Sequence, residues 1–193
     1  MNLLSRIKSV LLVSTIMFAA MQASARCGVL RWSIKTGSDQ GISKIELSKI
    51  HPNTIENLIK LQAPKNLPQA SRLSPTETEV YQLQATLLEV NQTDDLDYHL
   101  LIADSLGHQM IAEIPDQQCV ANSSLLKNQI QSARNYIDQK MQVSHQPQKV
   151  NVPITLTGIG FFDVPHAQGA AANGIEIHPV LDITFSNTQK LNE

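Results

Sequence analysis

The side chains best suited to chemistry in this chain fall into two stretches. Asp94, Asp95, Asp97 and His99 lie in one, and Asp163, His166, Gln168, Asn173, Glu176 and His178 in the other. Imidazole nitrogens and carboxylate oxygens are the donors that zinc and other divalent cations take. Asp163, His166, Glu176 and His178 are therefore candidate metal ligands. Asp94, Asp95, Asp97, His99, Gln168 and Asn173 are candidate contacts for a small polar ligand, held directly or through a bridging metal. The same set could serve metal-assisted phosphodiester hydrolysis, with one histidine as general base and the metal steadying charge. No spacing matches a metal motif such as His-Glu-x-x-His, so no cofactor is firm and catalysis stays open. Each residue also has a structural reading. Asp94, Asp95 and Asp97 are what a solvated turn uses, because Asp bonds its own backbone. His99 alternates with Tyr98 and Leu100 along a strand pattern, Asp163 can fix a turn, and Asn173-Gly174 is a turn dipeptide.

Two extended apolar runs, 152–162 and 175–185, flank the second stretch. Ile154, Leu156 and Gly158 alternate with Thr155, Thr157 and Ile159, and Ile175, Ile177, Leu181 and Ile183 with Glu176, His178, Val180 and Asp182. Period 2 of this kind predicts strands, and Gly158 and Gly160 inside the first predict a bulge, a bend or close approach by another group. Upstream, residues 79–90, 98–103 and 108–114 read as three strands joined by the short turns at 91–97 and 104–107, an antiparallel meander. Leu126, Ile130, Ala133, Ile137 and Met141 then form one helical stripe behind a cap at Asn122-Ser123-Ser124. The order strand, strand, strand, helix, strand, strand is that of the oligonucleotide/oligosaccharide-binding (OB) fold, a five-stranded Greek-key barrel. An open α+β sheet is the competing arrangement. The expected fold is mainly β with one long helix, an OB-like barrel over 79–186 carrying an N-terminal extension over 26–78 and a polar tail at 187–193. In the extension, 29–34 reads as a short strand, 41–51 is ambiguous, Asn53 with Glu56 suggests a capping box before a helix over 54–62, and Pro64, Pro68 and Pro75 make 63–76 irregular. In a barrel, the loops at 91–97 and 163–173 lie beside one another, so the two polar stretches would converge on one end.

Residues 1–25 have a basic start (Arg6, Lys8), an apolar core and the ending Ala23-Ser24-Ala25, the pattern of a secretory signal peptide whose apolar core is too short to span a membrane. The expected product begins at Arg26, is periplasmic or extracellular, and has no transmembrane span. It retains 13 basic against 17 acidic residues, a formal charge of −4. Without a Lys/Arg cluster, and with few aromatic residues for stacking, nucleic acid is a weakly supported partner. Phosphate-loop, dinucleotide-binding and Gly-x-Ser-x-Gly patterns are missing. The two cysteines, Cys27 and Cys119, read as one disulfide in an oxidising compartment.

Arg31-Trp-x-x-Lys-Thr-Gly-x-Asp39, Asp97-Tyr-His-Leu100, Met110-Ile-Ala-Glu-Ile-Pro115 with Cys119, Gly160-Phe-Phe-Asp-x-x-His166 and Asn173-Gly-Ile-Glu-Ile-His-Pro-Val-Leu-Asp182 together resemble a group of small exported bacterial proteins. The resemblance covers most of the exported chain and implies one domain over 26–186. It transfers no catalytic residue. The expectation is an exported, disulfide-closed binding or accessory module with a polar-ligand or metal site at 91–99 and 163–178. The alternatives are an exported metal-dependent hydrolase, nuclease-like, using the same residues, and a purely structural envelope protein.

Overall fold

The computed structural model describes residues 27–165 and 169–186. The expected leader, the tail at 187–193, His166 and Gln168 lie outside the described residues. Six strands are present: β1 (Ile50–Asn53), β2 (Val80–Gln92), β3 (Tyr98–Ala103), β4 (Gln109–Ile114), β5 (Gln148–Phe162) and β6 (Ile175–Phe185). Three α-helices accompany them among the described residues, α1 (Trp32–Lys35), α2 (Ile55–Ile59) and α3 (Lys127–Lys140).

Strands β2, β3, β4, β6 and β5 hydrogen-bond in that order, and β5 closes back onto β2. The β2–β3, β3–β4, β5–β6 and β2–β5 pairs are antiparallel and β4–β6 is parallel. This is the closed OB topology, with α3 between its third and fourth strands. Period-2 patterning selects which residues fill it. Leu83, Leu87 and Val90 of β2, Leu100 and Ile102 of β3, Met110, Ala112 and Ile114 of β4, Ile154 and Leu156 of β5, and Ile175, Ile177 and Ile183 of β6 join one buried cluster. Ile130, Ala133 and Ile137 of α3 belong to it too, a helical stripe laid against β6 and β4. Each fully buried Leu or Ile contributes roughly 1.5–3 kcal/mol, so closure of this apolar interior holds the scaffold.

Of the bulge, bend or close approach predicted at the strand glycines, a slip in register and a close approach are observed. Pairing slips between Thr157 and Gly160 opposite β6. A Cβ on Gly158 would collide with the Ile177 side chain and lie 2.6 Å from the Pro179 carbonyl oxygen. Glycine is what lets the two backbones approach there.

The N-terminal part departs from its expected form in three places. Residues 29–34 do not form a strand: Arg31 sits in the left-handed region at φ 52° and α1 follows. Tertiary contacts override the local pattern, because the Arg31 guanidinium is pulled inward to Glu77 and the Trp32 indole N–H donates to the Cys119 carbonyl oxygen at 3.2 Å. Residues 40–44 form a 3-10 turn capped by Asp39, and β1 adds a sixth strand, parallel to the first half of β2. Thr54 rather than Asn53 caps α2, accepting from the Asn57 backbone N–H. The disulfide Cys27–Cys119 is present, with the two Cα atoms 5.5 Å apart.

Candidate functional site

Alternation along the barrel strands sends one set of side chains inward and the next outward. On β3, Leu100 and Ile102 take the core side, so His99 faces out. On β4, Met110, Ala112 and Ile114 point in and Glu113 points out. On β6, Ile175 and Ile177 point in and Glu176 and His178 point out. His99 is paired directly with Glu113, and the parallel register Ala112–Ile177 places Glu113 beside His178. Glu176 is paired with both Ile111 and Phe161. An outer face of a barrel would ordinarily be wet. Here the segment 28–39 covers it, so that Glu113, Glu176 and His178 are all buried.

Covering this face brings Lys35 down from α1. Its Nζ lies 2.7 Å from Asp163 Oδ2, and both side chains are nearly inaccessible. Burial works against the ammonium, but the charges of Glu113, Asp163 and Glu176 outweigh it and raise its pKa. Phe161 lies beneath, its ring 5.3 Å from Lys35 Nζ and 5.5 Å from the His178 ring.

Asp97 enters from the turn before β3, where Leu96 takes φ 72°. Its Oδ1 accepts the Asp116 backbone N–H at 2.9 Å, and its Oδ2 lies 3.7 Å from His178 Nε2. His178 Nδ1 is 2.9 Å from Glu113 Oε2, a close contact whose alignment falls short of a hydrogen bond. Asp97, Glu113 and His178 present ligand atoms within 4.8 Å of one another and are a group that could hold a metal ion. Among the described residues, Asp97 Oδ2, Glu176 Oε2 and both ring nitrogens of His178 are buried without a hydrogen-bond partner. Such atoms cost roughly 1–3 kcal/mol each when left unmet.

The charges respond accordingly. Burial, then the nearby charges of Asp95 and Glu113, push the Asp97 carboxyl well above its usual range. Burial, then Glu113 and Asp163, do the same to Glu176. Burial opposes ionisation of Glu113 as well, yet the contact with His178 and the charge of Lys35 hold its pKa low. Burial also lowers the His178 pKa. Among the described residues, four carboxyl groups thus share a layer with the Lys35 ammonium, and two of them are driven toward the neutral form.

Solvent reaches this layer through a cleft of about 640 Å³ lined by Asn91, Gln92, Thr93, Asp94, Asp95 and His145, with Lys35 and Glu113 at its floor. Of the residues expected at the site, Asp94 and Asp95 line the cleft and Asp97, His99, Glu176 and His178 lie in the buried layer. Asp95 also serves the turn, accepting from Thr93 Oγ1 at 2.6 Å. Asp163 is paired with Lys35. Asn173 is spent on structure: its Nδ2 donates to the carbonyl oxygens of Leu58 and Leu61, both at 3.0 Å, and its Oδ1 accepts from the Ile175 backbone N–H. Sequence reasoning missed Lys35, Glu113 and His145. Glu113 carried a signal, an acid alternating with Met110, Ala112 and Ile114 in an otherwise apolar strand.

No family model matches the chain, and no curated protein does. Among solved structures, one assigned as an aspartyl-tRNA synthetase from Leishmania major Friedlin is similar over 75% of this chain, at 10% identity and a TM-score of 0.42. The chain spans 22% of that chain's length. Among the described residues, no helix is long and apolar enough to cross a membrane.

Proposed function

We propose that this chain is an exported binding module whose cleft takes a small polar ligand. One observation carries the reading: the cleft closes on a buried ammonium and a buried carboxylate, Lys35 and Glu113, placed together at its floor. Buried charges are retained where they meet something specific, since an apolar residue would cover a barrel face at lower cost. A ligand that fits offers an acceptor to Lys35 and a donor to Glu113, and the polar walls at 91–95 and His145 supply further hydrogen bonds. The scaffold is a closed barrel, and the walls are the end of β2, the turn after it and the segment after α3, where binding sites are commonly placed. Export agrees with the basic, apolar and Ala-Ser-Ala pattern of residues 1–25 and with a disulfide, which persists in oxidising compartments.

Melting the exported form against a panel of small zwitterions, sugar acids and polyols tests this. A ligand that binds the native state raises the melting temperature in proportion to its concentration over Kd. We expect at least one such shift, abolished by Lys35→Met and by Glu113→Gln. Turnover of nucleic acid or phosphodiesters by the purified protein, abolished by chelator, would replace the binding module with the hydrolase. Intact mass of the exported protein is expected to begin at Arg26, and a full-length product would remove the export assignment.

A further inference from the structure

We propose that Asp97 Oδ2 and His178 Nε2 hold a divalent transition-metal cation of the zinc or manganese class, with Glu113 positioning the imidazole from its other side. This assigns a cation to the layer beneath the cleft and stands whether or not the cleft binds a separate ligand.

The position of the ring proton on His178 decides what faces Asp97. Its Nδ1 lies 2.9 Å from a Glu113 carboxylate oxygen, which accepts only, so the ring proton belongs on Nδ1. That leaves the Nε2 lone pair facing the Asp97 carboxylate across 3.7 Å, with both side chains fully buried. Two acceptors then meet head-on, and neither has a hydrogen-bond partner among the described residues. Something positive belongs between them. A shared proton does not close the gap, since 3.7 Å is beyond hydrogen-bond reach. Lys35 does not supply it either, since neither atom has a hydrogen bond from its ammonium. A cation about 2.1 Å from each atom would subtend an angle of about 120°, close to what a four-coordinate site uses.

The surroundings fit a metal centre. A metal-bound histidine characteristically directs its other ring N–H at a carboxylate, which fixes the tautomer and the ring orientation. Glu113 stands in that place. Asp97 is held from behind, its Oδ1 accepting from Asp116 N while Asp116 pairs with Arg134 at 3.2 Å, so Oδ2 stays aimed at the imidazole. The two ligands come from the last turn residue before β3 and from within β6. A mixed nitrogen and oxygen donor set favours zinc, manganese or cobalt over calcium, which takes oxygen alone. The remaining coordination positions would go to solvent or to a donor atom arriving from the cleft. The expected set Asp163, His166, Glu176 and His178 is thereby revised: Asp163 serves Lys35, and Asp97 takes its place beside His178.

The test uses the exported, disulfide-closed chain, stripped with chelator and dialysed, titrated with zinc, manganese, cobalt or calcium chloride and with no other ligand. We expect one zinc or manganese per chain, a rise in melting temperature, and visible absorption bands from low-coordinate cobalt. Asp97→Asn is nearly isosteric, keeps the oxygen that Asp116 N bonds, and should abolish the tight equivalent. Glu113→Gln should weaken it about 10- to 100-fold. Asp163→Asn should leave the stoichiometry unchanged. His178→Gln should abolish the site, with circular dichroism confirming a folded variant. No binding to wild type, equal binding by wild type and Asp97→Asn through surface histidines such as His108 and His145, or calcium binding as tight as zinc would overturn the proposal. Zinc binding without any small-ligand shift leaves the cation and removes the cleft reading. A small-ligand shift in wild type that binds none of the metals does the reverse.

Discussion

Two buried ionic layers lie beneath the same N-terminal segment, and they are built in opposite ways. In the first, Arg31 meets Glu77 through both guanidinium NH2 groups, at 2.8 and 2.7 Å, and its remaining donors reach the carbonyl oxygens of Pro68, Ser71 and Phe162. Glu77 in turn accepts the backbone N–H groups of Leu73 and Phe162. The Phe161 ring lies 4.6 Å from the guanidinium carbon. Every charged atom has a protein partner, which is what a structural ion pair requires if it is to offset its own desolvation. In the second layer, Asp97, Glu176 and His178 keep buried polar atoms that the described residues leave unmet. A fold able to satisfy Arg31 so fully has no general difficulty in pairing buried charge. The unmet layer is therefore read as a site, and the satisfied one as the clamp that holds its cover in place.

The largest test of that contrast is removal of the clamp. Arg31→Met should cost about 3–5 kcal/mol in chemical denaturation, because it strands the Glu77 carboxylate in the interior. A cost under about 1 kcal/mol would mean that the first layer is no clamp at all. The disulfide is the second fastening of the same segment, closing a loop across 92 residues. Its reduction, or Cys27→Ala with Cys119→Ala, should cost about 2–4 kcal/mol. Peptide mapping without reductant checks the link directly, and two freely alkylated thiols would break it.

The unmet layer should answer in the other direction. Asp97→Asn keeps the acceptor for Asp116 N and places an amide N–H where Oδ2 faced His178 Nε2. In chelator-stripped protein at neutral pH this variant should equal or exceed wild type, by up to about 1 kcal/mol, since a buried neutral amide replaces a carboxyl whose charged form burial opposes. Loss of stability as large as that of Arg31→Met would put both layers in the same structural class.

How much of this was legible beforehand depended on whether local pattern or tertiary contact decided the outcome. Strands β3 and β6 have the bounds their alternation predicts, and α3 follows its apolar stripe to within a residue at each end. Strand β5 starts at Gln148, ahead of the expected Val152, because its polar first residues are held by pairing with Glu89 and Val90 rather than by an apolar face. Strand β1, Ile50-His-Pro-Asn, has no period to read and exists because β2 offers it an edge. Segment 29–34 has the composition of a strand and loses that form to the Arg31 clamp. At the site, His178, Asp97 and Glu176 were visible as polar residues on strands or at their ends. Lys35 was not, since a lysine in a Lys-Thr-Gly turn announces a solvated loop until the barrel face beneath it is known.

The smallest predicted effect belongs to an ion pair outside both layers, and it calibrates them. Asp104 and His108 stand in the β3–β4 turn, with His108 Nδ1 2.8 Å from Asp104 Oδ2, and the His108 side chain is 35% exposed. Partial burial opposes the Asp104 charge, but the bonds from His108 and the backbone N–H groups of Leu106 and His108 prevail and lower its pKa. A carboxyl lowered in the folded state contributes stability that is fully present above its unfolded value. That contribution fades as pH falls from about 4 through the folded value. Solvent screens the pair, so the whole contribution should stay below about 0.5 kcal/mol. Asp104→Asn keeps Oδ1 for both backbone N–H groups and removes only the charge. Its melting temperature should therefore match wild type at low pH and fall slightly below it near neutrality. Added salt should narrow that gap. It should leave the cost of Arg31→Met nearly untouched, because buried pairs are screened far less than exposed ones. An Asp104→Asn effect as large and as salt-insensitive as that of Arg31→Met would show that burial does not separate these pairs, and the distinction between clamp and site would lose its energetic basis.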